Sequence, residues 1–278
     1  MKRIVGFLTK TRAVLGLGLF LAVNAASCAQ QAQPASTPAK PAVVGLDNWF
    51  NHEINAKTGQ DYHYLWADTA FSGYSRWGSL FTDQGASLDL VQGRPTAEAL
   101  KPLSVYIIVD PDTAKETASP NYMTKEDADA IEAWVKAGGV LVLLANDAGN
   151  CDFEHFNPLP ERFGMHLNEV SLNRVTGDQW EMGAVTNLPD HPVFQGVQKI
   201  YMKEISTLTL SGPAEAVLKD KDQNVLMAEA RAGKGFVFAI GDPWIYNEYM
   251  DHDRLPESFQ NRKAAENLTS YLLSKVQR

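Results

Sequence analysis

The chain contains little cysteine, few basic side chains for its acidity, and no apolar run long enough to cross a membrane. It has 2 cysteines among 278 residues, which excludes a fold held together by disulfides. Its 25 lysines and arginines face 33 aspartates and glutamates, so the formal net charge is -8. A surface that acidic disfavours nucleic-acid phosphates and anionic lipid headgroups. We therefore expect no nucleic-acid partner.

The N-terminus has the organisation of an export signal. A basic segment, MKRIVGFLTKTR, precedes the apolar segment AVLGLGLFLAV, which is too short to span a membrane in the mature protein. Small residues then lead to Cys28, and Ala-Ala-Ser-Cys resembles a bacterial lipobox with alanine in place of the usual leucine. We expect a signal peptide at 1–27, lipidation of Cys28 and a flexible tether at 28–44. The protein would then be an exported lipoprotein anchored to a membrane, in the periplasm or at the outer membrane; plain signal-peptidase cleavage is the alternative.

Short apolar runs that end on aspartate recur four times beyond the tether. HYLWAD ends at Asp68, VYIIVD at Asp110, VLVLLAND at Asp147 and FVFAIGD at Asp242. Such runs are typical of strands buried on both faces of a parallel sheet, and ligands bind at the carboxyl ends of such strands. Helical spacing appears in 72–85, 124–139 and 258–276, with extended segments between Gly164 and the last helix. We predict one α/β domain at 45–278 with a mainly parallel sheet and added β segments in its C-terminal half.

This layout resembles the class I glutamine-amidotransferase-like fold, a flavodoxin-like three-layer sandwich. It is similar, more closely, to a domain attached to unsaturated rhamnogalacturonyl hydrolases of Bacteroidetes-type bacteria. The stretches concerned are DYHYLWADTAFSGYSRWGSLF, VYIIVDPDTAKE, WVKAGGVLVLLANDAGNCDFEHFN, KEISTL and GKGFVFAIGDPWIYNEY. The resemblance implies a role in degrading acidic plant-type glycans such as rhamnogalacturonan. The all-helical barrel of those hydrolases has no counterpart here, so no catalytic residue is transferred.

Glutamine hydrolysis is not expected of this chain. A working amidotransferase places its cysteine on a G-x-C-x-G turn directly after a strand and a His-x-Glu pair later. Here Cys151 comes several residues after the strand VLVLL, and the C-terminal third contains no His-x-Glu. A nucleophilic pair of Cys151 and His155 is a minor alternative to a buried, unreactive thiol.

Carboxylate chemistry is the stronger candidate. Glycoside cleavage by the common route needs two carboxyl groups across the scissile bond. The candidate catalytic residues are Asp110, Asp147, Asp242 and Glu248, all on predicted strand-end loops. The competing interpretation is that each acid caps a helix or holds a turn, which is the more frequent role for any one of them.

The same loops contain aromatic and polar residues that suit a glycan. Aromatic rings pack on the C–H faces of sugars, and amides or acids bind the hydroxyls. Trp244 is the preferred stacking platform, and Arg76 is the preferred partner for a uronate carboxylate. Core packing and a surface ion pair are their competing roles. The expected substrate-binding residues are His63, Trp66, Asp68, Arg76, Asn146, Asn150, His155, Lys203, Glu204, Trp244, Tyr246 and Asn247.

No cofactor is predicted. Asn146, Asp147, Asn150 and Asp152 are oxygen donors of the kind that calcium prefers, but the spacing of an EF-hand is absent. Two functions remain open. The first is a carbohydrate-active hydrolase that acts on an acidic oligosaccharide or polysaccharide. The second is a noncatalytic amidotransferase-like module that binds glycan or docks a partner glycoside hydrolase.

Overall fold

The computed structural model describes residues 41–247 and 249–277, so the expected signal peptide and Cys28 lie outside the described residues. Within those ranges no helix is long and apolar enough to span a membrane. The strands are β1 (Val43–Asp47), β2 (Glu53–Ile54), β3 (Asp61–Tyr62), β4 (Ser87–Val91), β5 (Val105–Val109), β6 (Val140–Leu144), β7 (Met165–Leu172), β8 (Ala184–Val185), β9 (Ile200–Tyr201), β10 (Ile205–Leu210), β11 (Glu215–Lys219), β12 (Val225–Ala232) and β13 (Gly235–Ile240). The helices are α1 (Ser75–Asp83), α2 (Ala97–Leu100), α3 (Lys125–Ala137), α4 (Phe153–Phe156) and α5 (Asn261–Lys275), and a 3-10 turn at Trp244–Tyr246 follows β13.

Nine strands form one sheet in the order β4-β1-β5-β6-β13-β12-β10-β7, with β11 beside β12. The neighbours from β4 to β13 are parallel. From β13 onwards the neighbours are antiparallel. The prediction of a mixed α/β domain with a largely parallel centre and extra antiparallel strands in the C-terminal half is therefore confirmed.

Alternate residues of the central strands serve two cores, because successive side chains of a strand point to opposite faces. Val105 and Ile107 of β5 lie in the core that includes side chains of α1 and α5. Tyr106 and Ile108 lie in the core that includes side chains of α2 and α3. With helices on both faces, polar residues can collect at the carboxyl ends of the parallel strands.

Helix α3 begins and ends where its sequence predicts. The Thr124 side chain accepts a hydrogen bond from the amide of Asp127, whose carboxylate accepts from the Thr124 amide in return. Arg94 binds the same carboxylate at 2.9 Å. Gly138 ends the helix with a φ of 130°, and β6 follows directly and lies parallel to β5.

The prediction of a strand at 62–68 is wrong. Only Asp61–Tyr62 is extended, as β3, and it pairs with β2 in a separate small hairpin. Residues 63–73 form a tight loop, in which a Cβ on Gly73 would lie 1.9 Å from the carbonyl oxygen of Asp68. The first strand of the described residues is β1, whose sequence VVGLD also ends on an acid, Asp47.

Candidate functional site

Asp110 directly follows β5 and accepts hydrogen bonds from three loops at the carboxyl ends of the strands. It is 5% exposed and has a left-handed φ of 46°. Its Oδ2 accepts hydrogen bonds from the Tyr64 hydroxyl at 2.9 Å and from Asn146 Nδ2 at 2.8 Å, and its carbonyl oxygen accepts from Asn51 Nδ2 at 2.7 Å. Oδ1 has no hydrogen-bond partner among the described residues. Burial and the neighbouring Glu116 raise the pKa of Asp110 well above its ordinary range, which favours the protonated form.

Asp112 is a second buried acid beside Asp110. Its Oδ2 accepts from the His52 amide at 3.0 Å and from the Thr117 hydroxyl, while Oδ1 has no partner within the described part of the chain. Burial raises the pKa of Asp112 to about 6.

Two glutamates complete this group of acids. Burial is the main cause of the raised pKa of both Asp110 and Asp112, and the charges of Glu53 and Glu116 add to it, so the glutamates lie within electrostatic range of both aspartates. The Glu53 carboxylate pairs with Nδ1 of His63. Residues of β2 and of loops, which no pattern in the sequence connects with Asp110, therefore provide much of its surroundings.

Asp47 belongs to the same edge of the sheet, and sequence analysis missed it. Its Oδ1 accepts from the Tyr106 hydroxyl at 2.5 Å and its Oδ2 from the Phe50 amide at 2.7 Å. Burial raises the pKa of Asp47 to about 6. The run VVGLD carried the same signal as the other four, but it is short and its first two residues fall within the predicted tether at 28–44. Because both oxygens are bonded within the protein, Asp47 holds the turn after β1.

Both carboxylate oxygens of Asp147 accept hydrogen bonds from residues that follow it in the sequence, and none of these contacts connects it with Asp110. Asn150 Nδ2 donates to Asp147 Oδ1 at 2.7 Å, and the Ser171 hydroxyl donates to Oδ2. Arg174 lies 4.0 Å from the same oxygen. These contacts fix the loop after β6 against β7.

Asp242 also has both oxygens engaged, here by backbone amides. Trp244 N donates to Oδ1 at 2.7 Å and Lys203 N to Oδ2 at 3.3 Å. Burial nevertheless raises the pKa of Asp242 to about 8. Burial is the main cause of the raised pKa of Tyr74, followed by the charges of Asp242 and Asp110, so both acids lie within electrostatic range of that hydroxyl.

Trp244 packs between the loop after β3 and Lys203. The Trp244 ring centroid is 6.3 Å from that of His63 and 6.0 Å from that of Tyr64. Lys203 Nζ lies 5.3 Å from the Trp244 centroid and 3.7 Å from the Glu204 carboxylate. The expected residues His63, Lys203, Glu204 and Trp244 thus gather on the side of the sheet edge that holds Asp110.

Left-handed backbone is concentrated at this edge. Of the six non-glycine residues with positive φ in the described ranges, five belong to it or to its supporting loops: His63, Tyr64, Asp110, Asn173 and Glu204. Asn173 is tied to the others because its carbonyl oxygen accepts from the Glu204 amide at 3.2 Å. Each such residue costs on the order of 1–3 kcal/mol, and residues of this kind cluster at functional sites.

Three of the expected binding residues are used elsewhere. Trp66 Nε1 donates to the carbonyl oxygen of Asp89 at 2.8 Å, and Asp68 accepts from the Ala70 amide of its own loop. Arg76 forms a two-pronged ion pair with Asp253, with bonds of 2.7 and 2.8 Å.

The remaining expected residues lie in buried or locally bonded positions. His155 stacks on Tyr122 with ring centroids 4.1 Å apart and binds the Asp152 carboxylate through Nδ1. Cys151 is buried, and that burial raises the pKa of its thiol well above the ordinary value. Tyr246 and Asn247 are buried, and Glu248 lies outside the described residues.

No group of three or more His, Cys, Asp or Glu side chains that could hold a metal ion occurs in residues 41–247 or 249–277. Asp152, one of the oxygen donors considered for calcium, is paired with His155.

Comparisons with known proteins identify a family and a fold. The family model described as "Domain of unknown function (DUF4350)" matches residues 67–269. Among curated proteins no sequence matches the chain. The mmIFT52 N-terminal domain is similar in structure with a TM-score of 0.65 and 13% identity, covering 84% of this chain and 98% of that one. Cytoplasmic protein STM1381 of Salmonella typhimurium LT2 has a TM-score of 0.56 and 15% identity, with coverage of 84% and 99%. Cytoplasmic protein STM3548 of Salmonella typhimurium has a TM-score of 0.51 and 15% identity, with coverage of 83% and 98%.

The family match and these structures overturn the resemblance to the glutamine-amidotransferase-like domain attached to unsaturated rhamnogalacturonyl hydrolases. That assignment was wrong. Apolar strands that end on acids, and a Gly-Gly pair before a strand, meet the packing needs of many parallel α/β sheets and do not identify one family. The rhamnogalacturonan setting that the resemblance implied loses its support with it.

Proposed function

Because the chain belongs to the DUF4350 family, a domain of unknown function, we propose its function from the geometry around Asp110. The proposal is a noncatalytic module that binds a carbohydrate at the carboxyl ends of the parallel strands. Its site comprises Asp110 and Asp112, the loop after β3, and Trp244.

The observation that carries this proposal is the state of Asp110. One of its oxygens is held by Tyr64 and Asn146, and the other has no partner among the described residues. A buried polar atom without a partner is uncommon and costs free energy, so a ligand hydroxyl at Oδ1 would remove that cost. The left-handed backbone of Asp110 supports the same assignment.

Binding is favoured over cleavage because the other candidate acids are already bonded. Asp147 accepts from Asn150 and Ser171, and Asp242 accepts from two backbone amides. A hydrolase needs a second carboxyl group free to act as base or nucleophile. Hydrolysis is the second candidate function on one observation: burial raises the pKa of Asp110 well above its ordinary range and that of the neighbouring Glu116 less strongly, and such a difference separates the roles of an acid and a base.

The proposed ligand is a carbohydrate without a carboxylate. The acids around Asp110 would repel a uronate, and Arg76, its expected partner, is paired with Asp253. Aromatic contact would come from Trp244, which is partly exposed, and from Tyr62 in the small hairpin. Docking of a partner hydrolase has no support beyond the overturned resemblance.

Two finer assignments complete the proposal. The parallel strands follow the order 2-1-3-4-5 when numbered among themselves, which supports a flavodoxin-like arrangement for that half of the sheet. The second assignment is export and lipidation at Cys28, which we infer from the sequence of the first 28 residues. Loss of lipid labelling in a Cys28→Ser variant, with the wild type labelled, is the expected outcome; an unlabelled wild type would overturn this assignment.

The binding proposal is tested by titrating wild-type protein with a panel of neutral and amino oligosaccharides while following calorimetric heat and tryptophan fluorescence. Asp110→Asn is the test variant, because asparagine tolerates left-handed backbone and keeps an oxygen for Tyr64. Glu215→Gln, an exposed position on β11, is the control for loss of one charge. We expect saturable binding by the wild type and the control, at least about tenfold weaker binding by Asp110→Asn, and no release of sugar. Absence of binding by the wild type would overturn the proposal, and sugar release that Asp110→Asn abolishes would establish the hydrolase instead.

A further inference from the structure

Four carboxyl groups in or beside the proposed carbohydrate site lack a strong cationic partner. They belong to Glu53, Asp110, Asp112 and Glu116. The ion pair formed by this group is that of Glu53 with His63; within the described ranges, no lysine or arginine lies within salt-bridge distance of the four. Because like charges raise one another's cost of ionisation, this arrangement favours a ligand that brings positive charge.

Two of these carboxyl groups are unlike the acids of a solvated surface. Asp110 is 5% exposed and Asp112 is 2% exposed, and each has an Oδ1 without a hydrogen-bond partner among the described residues. Their Oδ2 atoms are held by Tyr64 and Asn146 in one case and by His52 and Thr117 in the other. The two aspartates are thus fixed in place with one acceptor each left over.

We propose that the site takes a carbohydrate that bears a protonated primary amine, an amino sugar, whose ammonium group donates to the unpartnered oxygens of Asp110 and Asp112. An ammonium group has three donors and no acceptor, which suits a site made of acceptors. Glu53 and Glu116 add attraction without needing direct contact. This inference rests on the proposed carbohydrate function and specifies the class of sugar.

A metal ion is a weaker match than an ammonium group for the same acids. The described residues contain no group of three acidic or histidine side chains arranged to hold a metal. An ammonium group needs only hydrogen-bond acceptors and nearby negative charge, both of which are present.

Binding of an ammonium group would release protons. Burial raises the pKa of Asp110 and of Asp112, and a cation at their oxygens would favour the ionised forms. A neutral sugar at the same oxygens would not. The titratable groups that interact electrostatically with this pair are those of Glu53, Tyr62, Tyr64, Tyr74, Glu116 and Cys151, and His63 acts on the neighbouring Glu53 and Glu116.

The test compares the tetrasaccharide of β-1,4-linked glucosamine with its fully N-acetylated counterpart, which has the same backbone and no charge. Calorimetry in two buffers of different ionisation enthalpy measures affinity and proton release together. Variants Asp110→Asn and Asp112→Asn remove the proposed acceptor charge, Glu215→Gln is the charge control, and circular dichroism shows whether each variant is folded. Spermidine serves as an amine without sugar.

We expect the glucosamine tetrasaccharide to bind about 10- to 100-fold more tightly than the acetylated one, with proton release, in the wild type and in Glu215→Gln. Both aspartate variants should lose most of this preference. Equal affinity for the two tetrasaccharides would overturn the inference and leave the carbohydrate module standing. Spermidine bound as tightly as the amino sugar would support the amine and overturn the carbohydrate function, whereas no binding of any probe would overturn both.

Discussion

Tyr64 donates its hydroxyl hydrogen to Oδ2 of Asp110 over 2.9 Å, and both residues have left-handed backbone, with φ of 52° and 46°. The bond joins the loop after β3 to the end of β5. Two unfavourable backbone conformations are therefore held together by one buried contact. The position of the Asp110 carboxyl group depends on that loop as much as on the sheet.

Replacing Tyr64 with phenylalanine should destabilise the protein and weaken ligand binding. The change removes a donor to a buried carboxyl oxygen, so we expect the free energy of unfolding to fall by about 1–3 kcal/mol. Urea denaturation measures this fall. Tyr122→Phe is the matched control, because Tyr122 is exposed. Equal stability of the two variants would show that the Tyr64 hydroxyl contributes nothing.

Asp112 should make the protein less stable as the pH rises. Burial raises the pKa of Asp112 from 3.8 to about 6, so the folded state binds its proton more tightly than the unfolded state. The stability that Asp112 contributes through this tighter proton binding is fully present below pH 3.8. It is lost as the pH rises to about 6, and the free energy of unfolding falls by on the order of 2–3 kcal/mol.

The Asp112→Asn variant provides the check on this pH dependence. Asparagine keeps an oxygen for the His52 amide and the Thr117 hydroxyl but does not titrate. Unfolding free energies measured across this range should show a smaller decline for the variant than for the wild type. Parallel curves would mean that Asp112 does not titrate with a raised pKa.

Cys151 should be unreactive in the folded protein. Burial raises the pKa of its thiol well above the ordinary value, and the attacking species in alkylation is the thiolate. In a Cys28→Ser variant Cys151 is the sole cysteine, so mass spectrometry after iodoacetamide treatment reports on it alone. We expect modification at least a hundredfold slower in buffer than in denaturant. Rapid labelling of the native protein would support the hypothesis that Cys151 is a nucleophile.

Gly241 should tolerate no side chain, because a Cβ there would lie 2.1 Å from the carbonyl oxygen of Ser206. We expect Gly241→Ala to lower the free energy of unfolding by about 1–3 kcal/mol or more and to disturb the neighbouring Asp242. The control is Gly93→Ala, since a Cβ on Gly93 would meet nothing within 4 Å. Thermal unfolding of both variants is the measurement, and similar midpoints would refute the proposed clash.

Much of the sheet could be predicted from the sequence because local patterns determine it. Apolar runs bounded by polar residues correctly predict β5, β6 and β13 and the acids that follow these strands. The same rule failed at residues 62–68, where the aromatic residues have a high propensity for strands. The tight turn at Gly73 prevents a strand there, and packing of that loop against Trp244 and Asp110 determines its backbone conformation.

The surroundings of Asp110 could not be predicted in the same way. Tyr64, Asn51 and Asn146 bind it from three different loops, and no spacing in the sequence encodes such contacts. Conversely, Asp147 and Asp242 satisfied the strand-end rule but are bonded by near neighbours or backbone amides. Position at the end of a strand identifies candidates, while the availability of their oxygens depends on tertiary structure.

The place of β13 in the sheet constrains how the protein can be made. This strand, Gly235–Ile240, joins the parallel strands to the antiparallel ones, yet it is the last of the described strands in sequence order. A nascent chain that stops short of it has two incomplete half-sheets, each exposing a strand edge that can pair with other chains. Synthesis must therefore pass Ile240 before the sheet can close, and termination upstream of β13 should yield aggregates and not a smaller working domain.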